Sequence, residues 1–340
     1  MEKRAIPGAL VLASAASGAA ALVYEVLWVR RLGDLIGSTA HAVAAVLSVF
    51  FLGLGLGAWI LGRQADRIAE PWRLFVALEL LVAAWGIGFW WLSGWIDELY
   101  VAAAPAQLSA PAGALAKGAM ALALLLPPAT AMGGALPALV RHAVRRASDY
   151  GPRLGVLYGA NTLGGAAGVL GAVFLLMPGL GLIETGLVAA ALNLTAAGCA
   201  WTARRPTAEV PDEARTSRDE ASTPARVASA RSGAALLAAA FLAGAVSIGL
   251  EVLWTRALAM RFSSTIYSFG IILAAFLLGL GLGALATGWL DRRGLVGGMA
   301  AAATMALSGI AGLVSTAVLA RIEPLATAGA GAPASFAALA

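Results

Sequence analysis

The sequence predicts an all-α polytopic membrane protein with about nine transmembrane helices, arranged as a complete six-helix first half and a partial three-helix second half. Hydrophobic residues make up 60% of the chain and charged residues 12%, and the mean hydropathy is +0.85. Apolar runs of roughly 20 residues recur, and each is long enough to cross a hydrocarbon core of about 30 Å as a helix. An internal repeat orders these runs into two halves.

The repeat joins Glu25–Ala58 to Glu251–Ala284 at a constant offset of 226 residues, without a gap. About half of the positions are identical, and self-similarity of this kind sets the architecture. The shared positions include Glu25 and Glu251, Trp28 and Trp254, Arg30 and Arg256, and Phe50 and Phe276. Weaker similarity makes residues 232–340 a partial second half that repeats residues 17–114. Residues 1–203 form the first half, and the polar segment 204–231 is the linker.

The first predicted helix, Ile6–Val29, resembles a signal peptide, but its second copy lies in mid-chain, where no cleavage is expected. We therefore predict that it is retained. The following predicted helices cover residues 40–62, 73–96, 116–140, 154–177, 182–203, 233–256, 266–289 and 297–320.

Basic residues indicate the orientation in the membrane. With a cytoplasmic N-terminus, the cytoplasmic segments contain 17 of the 23 lysines and arginines, and the opposite segments contain six. An excess of positive charge in cytoplasmic loops is typical of membrane proteins. The sequence therefore predicts a bacterial cytoplasmic (inner) membrane protein with its linker in the cytoplasm.

Six helices separate the repeat copies, so the copies run parallel across the membrane. Parallel halves are the arrangement of major facilitator transporters. The loop after the second helix, Gly62 to Arg67, and its counterpart, Gly288 to Gly294, both resemble the Gly…Asp-Arg signature of that superfamily. We therefore predict a major-facilitator-like fold.

Four segments carry a more specific resemblance: Tyr24–Arg30, the GLGLGA run into Ala65–Arg67, Pro127–Pro137, and Tyr158–Gly164. They resemble the membrane region of the membrane-bound spermidine synthase-like family, in which a major-facilitator-like region is fused to an aminopropyltransferase domain. The resemblance implies a link to polyamines. The family's catalytic domain, with a glycine-rich nucleotide loop, has no counterpart in these residues.

Several functions are disfavoured. Gly53 to Gly57 lies in an apolar helix with no preceding strand, so it cannot cradle a nucleotide, and we expect no cofactor and no enzymatic activity from this chain. Its one cysteine and two histidines do not suggest a metal site. The net charge of +5 comes from arginines at helix ends, so no nucleic-acid partner is expected. The expected partners are the lipid bilayer and other membrane subunits or a separate synthase domain.

Acidic side chains within the apolar runs are the candidate cargo or gate residues, because a carboxylate in lipid costs roughly 2.5–3.5 kcal/mol and needs a partner or water. Glu25 and Glu251 occupy equivalent positions, and Glu184 begins the sixth helix at the same predicted level. These carboxylates would suit a cationic cargo. The alternative is that Glu25 pairs with Arg30 or Arg31, that Glu251 pairs with Arg256, and that these pairs fix the loops.

Other features have a structural interpretation beside the functional one. Asn161 is a candidate site residue that also suits a hydrogen bond between helices.

Three glycine pairs indicate close helix packing or a sliding surface: Gly53/Gly57, Gly164/Gly168 and Gly279/Gly283. The prolines of the fourth helix predict either an interruption that exposes backbone groups to a cavity or a kink relieved by neighbouring helices. Five tryptophans fall near helix ends and are interpreted as interfacial anchors: Trp28, Trp72, Trp95, Trp201 and Trp254. Glu79, near the inner end of the third helix, is expected to reach the interface.

Three functions remain open. The first is a transport-like or substrate-delivering membrane domain of a spermidine synthase-like system, handling small cationic metabolites. The second is a non-catalytic accessory or scaffold subunit of a larger membrane complex. The third is the membrane anchor of an aminopropyltransferase.

The topology can be tested by labelling. In a Cys199→Ala background, Ser217→Cys in the linker should react with a membrane-impermeant thiol reagent only after the cytoplasmic face is opened. Ser109→Cys, in a segment predicted to lie outside, is the matched control and should react in intact cells. Labelling of Ser217→Cys from the periplasmic side would reverse the predicted orientation.

Overall fold

The computed structural model describes residues 6–36, 40–103, 110–144, 150–204, 226–262, 265–293 and a few positions between 307 and 317. These described residues form helices and short connections without a strand. Eight of the helices are long and apolar enough to cross a membrane. The all-helical fold class is therefore confirmed, and the eight helices are compatible with a membrane protein. The ninth predicted helix, 297–320, lies largely outside the described residues, and the division into six and three helices stays a prediction.

The eight helices follow the predicted order. Their bounds are α1 Gly8–Ile36, α2 Ala40–Arg67, α3 Pro71–Ala103, α4 Ala110–Ala143, α5 Tyr150–Leu180, α6 Leu182–Thr202, α7 Arg226–Phe262 and α8 Thr265–Arg292. Within α5, the segment Ala172–Leu176 is a π-helix.

Local chemistry explains several helix ends. α3 begins at Pro71, whose missing N–H needs no partner in the first turn. α2 and α8 end at Arg67 and Arg292, where a positive charge is favourable beside the free carbonyl groups. α5 and α6 are separated by Gly181, which has a φ of 94° that favours glycine.

The prolines of α4 do not interrupt the helix. α4 runs continuously from Ala110 to Ala143 through three prolines, so the predicted break is wrong. Pro128 cannot donate a hydrogen bond to the carbonyl oxygen of Leu124, and the indole Nε1 of Trp85 on α3 donates to that oxygen instead, at 3.1 Å. A neighbouring helix thus satisfies the group that the proline leaves free, which lets the helix continue.

Glycines bring α1 into direct backbone contact with α5. On α1, Gly18 lies against the backbone of Asn161. On α5, Gly164 lies against the backbone of Ala15, and Gly168 makes the same kind of contact one turn further along. A side chain at any of these positions would clash, so the two helices pack at the short distance that small residues allow. The predicted packing role of Gly164 and Gly168 is confirmed.

The GLGLGA runs behave differently in the two copies. In α2, Gly53 and Gly57 lie against the backbone of α4 near Thr130. Their equivalents in α8, Gly279 and Gly283, have no described atom within 4 Å of an added Cβ. The packing role predicted for the pair in α8 is therefore not found among the described residues. α8 instead packs on α5 through other small residues, with Gly155 of α5 against Gly288 of α8.

The difference between Gly57 and Gly55 gives a matched test of helix packing. Gly57→Val would press a side chain into the backbone of α4, whereas Gly55→Val extends into open space. We expect Gly57→Val to destabilise the purified protein by roughly 1–3 kcal/mol, the usual cost of overpacking, and to lower its midpoint of thermal unfolding. Gly55→Val should change that midpoint little. Equal shifts in the two variants would contradict the α2–α4 contact.

Candidate functional site

The candidate site is built around α1, the helix most enclosed by protein. In its most apolar stretch, 67% of the residues are buried, against 6% in α7, its repeat equivalent. α1 packs against α5 and α6 and also touches α4. Its buried side chains include polar ones: Ser14, Ser17 and Glu25. Residues of this kind inside a membrane protein mark functional sites by default, because lipid does not tolerate them.

The two motif glutamates are both buried. Glu25 is 2% exposed and Glu251 is 5% exposed. The Oε1 atom of each carboxyl accepts no hydrogen bond from the described residues. Glu25 lies within electrostatic range of Glu251, so charges on the two would repel each other. The fold thus brings together two carboxyl groups that are 226 positions apart in the sequence.

The arginines of the repeated motif do not neutralise these glutamates. Arg30 and Arg256 are exposed, and no ion pair joins either of them to Glu25 or Glu251 in the part of the chain that the structure describes. The expected pairs of Glu25 with Arg30 and of Glu251 with Arg256 are therefore not found among the described residues, and a pair of Glu25 with Arg31 stays a prediction. The reason is geometric: five residues along a helix is about 500° of rotation, so the arginine leaves the face of the glutamate by roughly 140°.

An aromatic cluster surrounds Trp28, three residues after Glu25. The Trp28 ring stacks on Tyr24 with a centroid distance of 5.2 Å and lies 5.4 Å from Phe89 of α3. It also meets Phe50 of α2 edge to face at 6.4 Å. Pairs of this geometry stabilise a fold beyond the area that they bury. The cluster therefore ties α1, α2 and α3 together beside Glu25.

The interpretation of Trp28 as an interfacial anchor is wrong, because the side chain is 1% exposed and packs inside the protein. The second copy repeats part of the cluster: Trp254 lies 5.3 Å from Phe276, the equivalents of Trp28 and Phe50. Trp95 and Trp201 are exposed, as expected of anchors.

Glu184 does not join the buried carboxyl groups. Its side chain is exposed, in the first turn of α6 next to Gly181. A negative charge is favourable at the N-terminus of a helix, where backbone N–H groups are free. This position gives Glu184 a structural role.

Asn161 links α5 to α1. Its Nδ2 donates to the carbonyl oxygen of Ser14 at 3.0 Å, and the Ser14 hydroxyl donates to the carbonyl oxygen of Leu157 at 2.7 Å. These two bonds run in opposite directions between the same pair of helices. Asn161 is therefore a packing residue in the described structure.

The structure adds one acidic residue that sequence reasoning had placed at the interface. Glu79 of α3 is 2% exposed. Its Oε1 accepts a hydrogen bond from the hydroxyl of Ser17 on α1, and its Oε2 accepts one from Nδ2 of Asn193 on α6, both at 2.6 Å. The expectation for Glu79 was wrong because its partners come from two other helices. The only sequence signal was an acid inside an apolar run.

The chemistry of the paired glutamates favours a cation. Two buried carboxyl groups within electrostatic range, with aromatic rings beside one of them, resemble the recognition of ammonium groups by acidic and aromatic side chains. Among the described residues, no three His, Cys, Asp or Glu side chains group as they would around a metal ion.

Comparisons with known proteins find similarity to one group of curated relatives. The chain is 30% identical over 193 residues to the polyamine aminopropyltransferases of Mycobacterium tuberculosis, strains CDC 1551 and H37Rv, and of Mycobacterium bovis. The matched stretch covers 56% of this chain and 34% of each relative, so the chain spans about a third of the length of the curated relatives it matches. No family model and no solved structure matches the chain. This similarity supports the spermidine synthase-like resemblance.

The aromatic cluster can be tested by truncation. Trp28→Ala should lower the free energy of unfolding by about 3–5 kcal/mol, the usual cost of removing a large aromatic side chain from a core. Trp95→Ala is the control, since its side chain is 65% exposed, and it should have little effect. Chemical unfolding of the purified variants measures both. A cost for Trp95→Ala equal to that of Trp28→Ala would contradict the packing.

Proposed function

We propose that this chain is the membrane domain of a spermidine synthase-like system and that it carries or delivers a small cationic amine. Glu25 and Glu251 are the proposed cargo carboxylates. The observation that carries the proposal is their joint burial, each with an Oε1 atom that accepts no hydrogen bond from the described residues. The similarity to polyamine aminopropyltransferases supports an amine as the cargo.

The electrostatics favour a cation with more than one positive charge. A buried ionised carboxylate without a partner is strongly unfavourable, and two of them close together are worse. An ammonium group between Glu25 and Glu251 would offset both the desolvation of the carboxylates and their mutual repulsion.

The proposed layout is two parallel halves around a central axis, as in major facilitator transporters, in the cytoplasmic membrane of a bacterium with the N-terminus in the cytoplasm. The electrostatic contact between equivalent residues of the two copies supports this layout. The packing of α5 on α8, one helix from each proposed half, supports it as well. A site between the halves would then form near the middle of the membrane.

The scaffold alternative has one observation in its favour. α7 presents large apolar side chains outward, with Leu237, Phe241, Leu242 and Val246 all exposed, whereas the equivalent face of α1 is enclosed. Other membrane subunits or lipid would cover this face. The third alternative, a membrane anchor, is favoured by the names of the mycobacterial relatives, of which the match covers a minor part.

Binding of spermidine tests the cargo site. Glu25→Gln and Glu251→Gln should each weaken spermidine binding to the purified protein in lipid nanodiscs by about 10- to 100-fold, since a charge-assisted hydrogen bond contributes roughly 1.5–3 kcal/mol. Glu98→Gln is the matched control, because it removes an exposed carboxyl group of α3. Calorimetric titration measures the affinities.

The outcomes separate the alternatives. Unchanged affinity in both variants would exclude these carboxylates as the cargo site. Spermidine uptake into proteoliposomes containing the wild-type protein would support transport. Binding without uptake would support delivery to a partner domain, and the absence of any binding by well-folded protein would favour the scaffold.

A further inference from the structure

We propose that Glu79, Ser17 and Asn193 form a proton-binding site that is separate from the paired motif glutamates. The three residues come from α3, α1 and α6, and all three side chains are buried. Both carboxyl oxygens of Glu79 are engaged at 2.6 Å. The inference does not depend on what the chain carries.

The kind of partner that Glu79 has is the first argument. Its partners are a hydroxyl and an amide, not a lysine or an arginine. Neutral donors favour the ionised carboxylate less strongly than a positive partner within a few ångströms would. The hydroxyl of Ser17 can also turn from donor to acceptor, because it carries one proton and two lone pairs.

An unused acceptor in the cluster is the second argument. Oδ1 of Asn193 is buried and has no hydrogen-bond partner among the described residues. When a proton binds Glu79, a new O–H bond forms, and that group needs an acceptor. A half-turn of the Asn193 amide would present Oδ1 to it. The ionised carboxylate accepts from Ser17 and Asn193, and the protonated one donates to either, so the cluster suits both states.

Tyr24 is the titratable neighbour of this site. Its hydroxyl is buried without a hydrogen-bond partner, and it lies within electrostatic range of Glu79. The Tyr24 ring lies over Gly86, which shares a face of α3 with Glu79 because seven residues make about two turns. Glycine is needed there, since a larger residue would displace the ring.

The other charged or titratable groups on the helices around α3 lie toward helix ends or next to Tyr24 on α1. They are Glu25, Arg30 and Arg31 on α1, Arg63, Asp66 and Arg67 on α2, Lys117, Arg141 and His142 on α4, and Glu184 and Cys199 on α6. Asp66 is within 3.3 Å of Arg141, and this exposed ion pair joins the ends of α2 and α4. Protonation of Glu79 would therefore change the electrostatic potential at Tyr24, which is part of the aromatic cluster.

The sequence of the second copy agrees with a separate role. The position equivalent to Glu79 is Met305, and the position equivalent to Ser17 is Ala243. The paired glutamates occur in both copies, but this cluster occurs only in the first. The proposed proton site therefore belongs to the first copy of the repeat and has no equivalent at Met305 and Ala243 of the second.

Infrared difference spectroscopy during a pH titration tests the proposal on the purified chain in lipid nanodiscs. The wild type should show a protonated-carboxyl band that titrates, and Glu79→Gln should lose that band while keeping the same elution profile. Glu98→Gln, which removes an exposed carboxyl group, should keep it. Ser17→Ala should shift its pH midpoint, because one hydrogen bond to the carboxylate is removed.

Two results would overturn the proposal. The first is an unchanged set of carboxyl bands in Glu79→Gln. The second is a Glu79 band that responds to added sodium chloride but not to choline chloride at fixed pH, which would make the cluster a sodium site. If Glu79→Gln does not fold, Ser17→Ala decides, and a titration identical to that of the wild type would contradict the site. None of these readouts requires transport activity, so a failure of the cargo proposal would not affect them.

Discussion

The close backbone contact between α1 and α5 is the constraint on which the rest of the structure depends. Gly18 and Gly164 leave no room for a side chain between the two helices. This contact encloses α1, and enclosure allows a membrane helix to carry Ser14, Ser17 and Glu25 away from lipid. A carboxylate at the same depth on a lipid-facing helix would cost roughly 2.5–3.5 kcal/mol. The buried polar side chains of α1 therefore depend on the close helix packing that the small residues allow.

The internal repeat shows that equal sequence does not produce equal surroundings. The GLGLGA run packs through Gly53 and Gly57 on α4 in the first copy, but Gly279 and Gly283 meet no described neighbour. The aromatic pairs are closer to symmetric, at 6.4 Å and 5.3 Å. The contact between the first two helices of each copy is thus preserved.

The sequence correctly predicted the features that depend on the local composition of each segment. Eight spans and the packing role of Gly164 follow from hydropathy and from small residues at one-turn spacing. The errors concern side chains whose surroundings come from elsewhere. Glu79 binds residues 62 and 114 positions away, and no local pattern contains that information. Trp28 lies near a helix end, which suggested the interface, but three helices close around it. α4 continues through its prolines because Trp85 of α3 donates a hydrogen bond to the carbonyl oxygen of Leu124, which Pro128 leaves free.

The carboxyl group of Glu79 and those of the paired motif glutamates differ in their hydrogen-bond partners. Glu79 is satisfied within the fold by a hydroxyl and an amide, so the smallest possible ligand, a proton, changes its state without moving a helix. Glu25 and Glu251 each keep an Oε1 atom without a described partner and repel each other when ionised. Only a ligand that contacts both can relieve that repulsion, and such a ligand must bridge the two copies of the repeat. In the proposed function, a polyamine therefore acts on the relative position of the halves, and a proton acts within the first half. Tyr24 is near both, since it lies within electrostatic range of Glu79 and its ring stacks on Trp28.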